Sequence, residues 1–184
     1  MNIQTEVTPN PSSLKFLPGK IVMENGTADF RNVEEAKRSS LALNLFKIEG
    51  VVGVFFGSDF ISITKSDNHE WQMLKPSISE TIIEYYKSGA AIMLQEEEDN
   101  TDTSNAEDNE AVIKIKEIID TKVRPAVAKD GGDITFQSFD NGIVYLQMKG
   151  SCSGCPSSTA TLKAGIENML KHYIPEVREV RPVT

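Results

Sequence analysis

The stretch Glu96-Glu97-Glu98-Asp99-Asn100-Thr101-Asp102-Thr103-Ser104-Asn105-Ala106-Glu107-Asp108-Asn109 decides how the chain is divided. It is acidic, rich in Asn, Asp, Ser and Thr, and free of large apolar residues, so burial cannot offset the entropy of ordering it. Its charges repel one another, and loops of this length are uncommon inside compact domains. Residues 96–109 therefore read as a flexible, somewhat extended linker. The segments on either side, 1–95 and 110–184, each mix strand and helix patterns, and no internal repeat relates them. The expected fold class is α+β, two small α+β domains joined by an acidic linker.

The same stretch explains the net charge. The 184 residues carry a formal charge of −8, but eight acids between positions 96 and 110 stand without a Lys or Arg among them, and the rest balances 19 acidic against 19 basic groups. A concentrated basic face, which phosphate binding needs, is not evident, so nucleic acid is disfavoured as the main ligand. With 39% hydrophobic and 25% charged residues the composition is that of a globular protein. No apolar run approaches the ~18 residues that span a bilayer, so no membrane partner is expected. Met1-Asn2-Ile3-Gln4-Thr5-Glu6 has neither the basic start nor the apolar core of a secretory signal, and no arginine of a transit peptide. The expectation is a cytoplasmic location.

In the first segment, Val51-Val52-Gly53-Val54-Phe55-Phe56 and Phe60-Ile61-Ser62-Ile63-Thr64 flank Gly57-Ser58-Asp59, a hairpin pattern. Asn32 is placed to cap a helix with Glu34 and Glu35 in its first turn and Ala36, Leu43 and Phe46 beyond. Ile78, Ile82 and Tyr85 recur at helical spacing until Ser88-Gly89, and residues 90–94 read as a last strand. Trp71, Phe55, Phe56 and Phe60 are expected in the core.

The second segment opens with a helix presenting Val112, Ile115, Ile119 and Val123 on one face, which Pro125 should end or bend. After Asp130-Gly131-Gly132, residues 133–139 and 143–148 are strands joined by Asp140-Asn141-Gly142; both Asn and Gly tolerate the positive φ of a two-residue hairpin turn. A further helix carries Leu162, Ile166, Met169, Leu170 and Tyr173 at helical spacing.

Between that hairpin and that helix lies Gly150-Ser151-Cys152-Ser153-Gly154-Cys155-Pro156, which holds the chain's two cysteines as a CxxC. A strand leads in, and a helix leaves with Pro156 at a natural first-turn position. Thiols at a helix N-terminus are favoured as thiolates, the form that binds metal or attacks disulfides. Gly150 and Gly154 would let a bulky ligand approach the backbone. Three chemistries fit: a redox dithiol, half of a zinc site, or an iron–sulfur cluster. A redox dithiol of thioredoxin type needs more strands than the eleven residues after Tyr173 can supply. Zinc would need two further ligands, and the two histidines, His69 and His172, lie in different segments and read as surface or interface residues. A 4Fe–4S cluster needs four thiolates, which two copies related by a two-fold axis would supply. The Asp130-Gly131-Gly132-Asp133 run could shape the surroundings of a cluster, but a helix-to-strand turn needs little else than glycine there, and the structural reading is preferred. The conspicuous carboxylates lie in the linker, so no catalytic pair is evident, nor a Walker-type phosphate loop.

Asp130-Gly131-Gly132-Asp133, Asn141-Gly142, the Gly150-to-Pro156 loop continuing into Ser157-Ser158, Leu162-Lys163, Ile166-Glu167 and Ile174-Pro175-Glu176-Val177 together resemble the NifU C-terminal-like (Nfu) domain. Thr8-Pro9-Asn10-Pro11, Phe16, Leu74-Lys75-Pro76 and Tyr86-Lys87-Ser88-Gly89 resemble the N-terminal domain of the same family. The resemblance implies an iron–sulfur cluster scaffold or carrier, not an enzyme. It implies a 4Fe–4S cluster bridging two chains through Cys152 and Cys155, an upstream cluster donor, and apo-protein clients. The alternative from another class is a thiol–disulfide oxidoreductase using the same two cysteines. Because the likeness begins almost at Met1, a bacterial-type cytoplasmic member is expected, or else a chain already trimmed of its presequence.

Overall fold

Period-two alternation and tight turns build the first unit, Met1–Glu98, around one sheet. The structure is a computed structural model and describes residues 1–94, 110–153 and 156–183. The acidic linker, Gly154 and Cys155 lie outside the described residues.

Strands β1 (Gln4–Val7), β2 (Ser13–Leu17), β3 (Ala28–Phe30), β4 (Val51–Phe56) and β5 (Ile61–Lys65) form an antiparallel sheet in the order β1-β2-β5-β4-β3. The expected hairpin is β4–β5, with Phe56 opposite Ile61. Alternation sends Phe16, Val54, Phe56, Ile61 and Ile63 into one core, where helix α3 (Trp71–Ser88) adds Leu74, Ile78, Ile82 and Tyr85. Each such burial contributes about 1.5–3 kcal/mol before entropy is counted. Gly89, at φ 69, stops α3 in the left-handed conformation.

The four aromatics expected to form one core separate. Phe56 packs edge-on to Phe30 at 5.1 Å within the core. Phe55 is one residue out of phase, so it meets Phe60 at 6.0 Å outside that cluster, where the Lys15 ammonium stands 4.7 Å from the Phe60 ring. Trp71 is half-buried, tilted against Phe16, and donates its indole N–H to Pro11 O at 3.2 Å.

Two further expectations are corrected. The helix capped by Asn32 is only α1 (Val33–Ala36); a second cap, Ser39, accepts from Ala42 N–H at 3.2 Å and starts α2 (Ser40–Phe46) in a new phase. That restart buries Leu41, Ala42 and Leu45 and leaves Leu43 and Phe46 partly exposed. Residues 90–94 are not a strand. Their carbonyls and amides go to single partners: Tyr85 Oη donates to Ala91 O, Ser39 Oγ donates to Ile92 O, and Leu94 N–H donates to Arg38 O.

The second unit, Asp99–Thr184, begins with α4 (Glu110–Ile118), passes through a π-helical turn (Ile119–Val123) and continues as α5 (Arg124–Lys129). Pro125 does not end the helix; the helical pitch changes just before it. A proline ring clashes with the carbonyl four residues back, and the wider turn just before it takes up that clash, with Arg124 N–H reaching Ile119 O. Ile115, Ile119, Val123 and Val127 stay buried through the change of pitch.

Strands β6 (Gly132–Asp140) and β7 (Ile143–Gly150) pair antiparallel across Asn141 (φ 49) and Gly142 (φ 80), the primed turn that Asn-Gly favours. Helix α6 (Pro156–Tyr173) then carries the chain to β8 (Glu179–Val183), which pairs parallel with β7. This third strand is absent from the sequence expectation. Of the α6 stripe, Ile166 and Leu170 are buried and Leu162 and Met169 partly so, while Tyr173 is exposed, with the Lys122 ammonium 5.2 Å from its ring. Among the described residues no helix is long and apolar enough to cross a membrane.

Candidate metal centre

The cysteine loop starts where the β6–β7 ladder ends. The last pair is Gly132 with Gly150, and Gly150, at φ 64, turns the chain away. Hydrogen bonds among the described residues hold the turn that follows. Ser153 N–H donates to Gly150 O at 3.1 Å, Ser151 N–H donates to Gly131 O at 3.3 Å, and the buried Ser151 hydroxyl donates to Asp130 O. The loop is thus tied to the Asp130-Gly131-Gly132-Asp133 turn through backbone atoms, not by side-chain packing alone.

That turn is tied in its own right to the helix before it. Asp130 N–H and Gly131 N–H donate to Val127 O and Ala128 O, tighter bonds to the third residue back that close α5 and lead into the turn. Asp133 is buried and takes a two-pronged bond from Arg124: Nε to Oδ1 and Nη2 to Oδ2, both 2.9 Å. Asp133 Oδ1 also accepts Ile134 N–H at 2.9 Å. The Arg124 guanidinium is held above its already high range, first by the hydrogen bond to Asp133, which outweighs its partial burial. The run expected to be a simple turn is therefore also the frame of the cysteine loop.

Cys152 is buried in this frame. Gly132 lies so close to it that a Cβ placed on Gly132 would stand 2.5 Å from Cys152 Sγ. The second expected ligand, Cys155, lies outside the described residues. Among the described residues no group of three or more His, Cys, Asp and Glu side chains comes together as a metal-binding set. His69 belongs to the first unit and its Nδ1 hydrogen-bonds Ser66 Oγ at 2.8 Å; His172 is exposed on α6 beside the Tyr173 ring. The parts missed by sequence reasoning are Arg124, the clamp made by Ser151 and the contact with Gly132. Only proximity across the sheet end reveals them.

Chemically, the arrangement holds a thiol in a turn whose backbone is bonded at Ser151 and Ser153. Such a loop gives a soft ligand a defined starting position. The residue types fit a thiolate-bound cargo, since sulfur, glycine and serine leave room for a bulky group at the backbone.

The comparisons with known proteins agree with this layout. Residues 3–89 match the family model described as scaffold protein Nfu/NifU N terminal, and residues 115–181 match the NifU-like domain. NifU-like protein 4, mitochondrial, of Arabidopsis thaliana is 54% identical over 98% of this chain and 65% of its own length. The NFU1 iron-sulfur cluster scaffold homolog, mitochondrial, of Drosophila willistoni is 54% identical over 100% of this chain and 64% of its own. Its counterpart named for Homo sapiens is 51% identical over 100% of this chain and 72% of its own. The chain spans about two thirds of the length of these relatives.

These names overturn the expectation of a cytoplasmic, bacterial-type protein: relatives from plant, fly and human are called mitochondrial, which points to an organellar protein. Leader segments are removed from the mature protein and take no part in its fold, so the fold of the two units does not report location. With a NifU-like domain holding the CxxC loop, an Nfu N-terminal domain before it and relatives above 50% identity along the whole chain, the protein belongs to the Nfu/NifU-like family.

Proposed function

We propose that the chain is an iron–sulfur cluster scaffold or carrier, not a catalyst, and that its cargo is a 4Fe–4S cluster bound by Cys152 and Cys155 from each of two copies. The observation that carries this reading is the thiol of Cys152 in a loop clamped by Ser151, whose backbone N–H and hydroxyl bond the Gly131 and Asp130 carbonyls of the neighbouring turn. With two cysteines per chain, four thiolates require two chains. A two-fold axis supplies them from one motif used twice. Cargo held between protomers is released when the dimer opens, which suits delivery from an upstream donor to an apo-protein client. Relatives from fly and human are named as iron–sulfur cluster scaffolds, in support.

The domains in this reading run 1–95 and 110–184, with 96–109 as linker. The first has no cysteine, so we assign it to recognition of clients or of the donor. Deleting residues 1–95 should then spare cluster binding and slow transfer to a client; equal transfer rates would exclude that role. Protease should cut first within 96–109.

Anaerobic reconstitution tests the centre. The expected product absorbs near ~400 nm and contains about four iron and four sulfide per dimer. Cys152→Ser and Cys155→Ser each remove two of the four thiolates, and each should abolish stable loading and cluster-dependent dimerisation. Full loading of either variant, stoichiometric zinc in place of iron, or disulfide reductase activity without metal would overturn the assignment.

A further inference from the structure

Gly132 does not have the left-handed backbone that forces glycine at Gly131 (φ 80) and Gly150 (φ 64). An extended residue at the start of a strand accepts any L side chain, so only space can exclude one there. The space is taken. A Cβ on Gly132 would lie 2.5 Å from Cys152 Sγ, 2.9 Å from Lys149 O and 3.0 Å from Cys152 N. The first atom can move by rotation about χ1, whereas the other two belong to the backbone of β7 and of the clamped turn. The thiol thus rests where the side chain of residue 132 would be, and Cys152 is 7% exposed as a result.

We propose that Gly132 is a positioning residue: its missing side chain is the seat of the Cys152 thiol in the metal-free chain, fixing where that sulfur waits and shielding it from solvent. This rests on the reading of Cys152 as a cluster ligand, because a seat for the sulfur has a use only if the sulfur binds something. Loading draws the thiolate out of the seat by a χ1 change or a small shift of the turn. Any side chain at position 132 evicts the sulfur in advance.

The test uses the metal-free full chain and iodoacetamide, with which the thiolate sulfur forms a carbon–sulfur bond and displaces iodide. Peptide mass spectrometry reads the rate at Cys152 separately from that at Cys155. In Gly132→Ala the Cys152 rate should rise roughly tenfold, since reaction no longer waits for local opening. Hydrogen exchange of the β6 and β7 amides should stay protected. An unchanged Cys152 rate, or a rise matched by equal loss of β6–β7 protection, would overturn the proposal, the second because general loosening would explain it. A second comparison places Gly132→Ala in the Cys152→Ala background, where the sulfur is gone and only the two backbone contacts remain. There the substitution should lower the unfolding midpoint less than it does in the wild-type chain, or restore folding if the single variant fails to fold. Equal losses, or failure to fold in both backgrounds, would refute the steric argument. None of these readouts involves iron, so they stand or fall separately from reconstitution.

Discussion

The Arg124–Asp133 pair gives a prediction whose asymmetry can be worked out in advance. Asp133 keeps only 4% of its side chain exposed and Arg124 keeps 31%, so the carboxylate is the buried partner and the guanidinium the half-solvated one. Breaking a fully buried pair costs about 3–5 kcal/mol, mostly because one charge is left without compensation. Arg124→Met takes both charged hydrogen bonds from the carboxylate while Ile134 N–H still donates to it, and with the exposed third of Arg124 discounted it should cost about 2–4 kcal/mol. Asp133→Asn leaves a cation that reaches solvent and Asp120 at 3.4 Å, and should cost about 1–2 kcal/mol. Arg124→Lys keeps the charge but loses the two-pronged geometry, and should fall near ~1 kcal/mol. Native-state hydrogen exchange at the Ile134 and Val144 amides reads the second unit. Fluorescence of Trp71, the chain's one tryptophan, reads the first and should not move. A cost for Asp133→Asn equal to or above that of Arg124→Met would refute the reasoning from burial.

Three further predictions use other joints of the fold. Ser39→Ala removes the α2 cap and the donor to Ile92 O at once, and should lower the stability of the first unit by about 1–3 kcal/mol, seen as an earlier Trp71 transition in urea. Gly142→Ala puts a Cβ at φ 80 against Glu176 O at 3.0 Å and the Arg178 side chain at 2.9 Å, and should destabilise the second unit by about 1–3 kcal/mol in thermal melts by circular dichroism. Glu167 titrates below its ordinary value of 4.5, first because of its hydrogen bond from Lys171 and then that from Val180 N–H. A depressed folded value means its stabilisation is present above pH 4.5 and is lost as pH falls through the folded value. The melting difference between wild type and Glu167→Gln should therefore be present at neutral pH and close on acidification; a gap that widens in acid would reverse the sign.

What could be read from residues alone was what local physics dictates. Asn141-Gly142 has few conformations open to it other than the observed turn, and the Ile115, Ile119 and Val123 stripe buries itself whatever the pitch. Expectations failed where a tertiary partner chose between local options. Ala90 to Leu94 is apolar enough for a strand, but Ser39, Tyr85 and Arg38 take its backbone groups individually. Ser39 in mid-pattern reads equally as helix interior and as cap, and the hydrogen bonds decide for the cap. Strand β8 carries Glu179, Arg181 and Pro182, poor strand formers that β7 recruits by parallel pairing. The centre divides in the same way: the CxxC is a spacing and was legible, whereas the packing of Gly132 against Cys152 joins residues from opposite ends of a hairpin.

The parallel pairing of β8 has a consequence for the order in which the chain is made. Synthesis delivers β6, β7 and the cysteine loop before α6, and α6 before β8, yet β8 is the strand that covers the second edge of β7. At roughly 5–20 residues per second, the roughly thirty residues from the end of β7 to the end of β8 take roughly 2–6 s to add. For that interval β7 is an open edge with unpaired amides, and the thiols leave the ribosome ahead of the strand that completes their domain. The first unit meets a similar interval, because β2 waits for β5, but every strand of its sheet precedes the linker. A nascent chain therefore has its first unit finished before its cysteine loop is framed, so any factor that engaged the newborn protein would meet the folded first unit first and the thiols last.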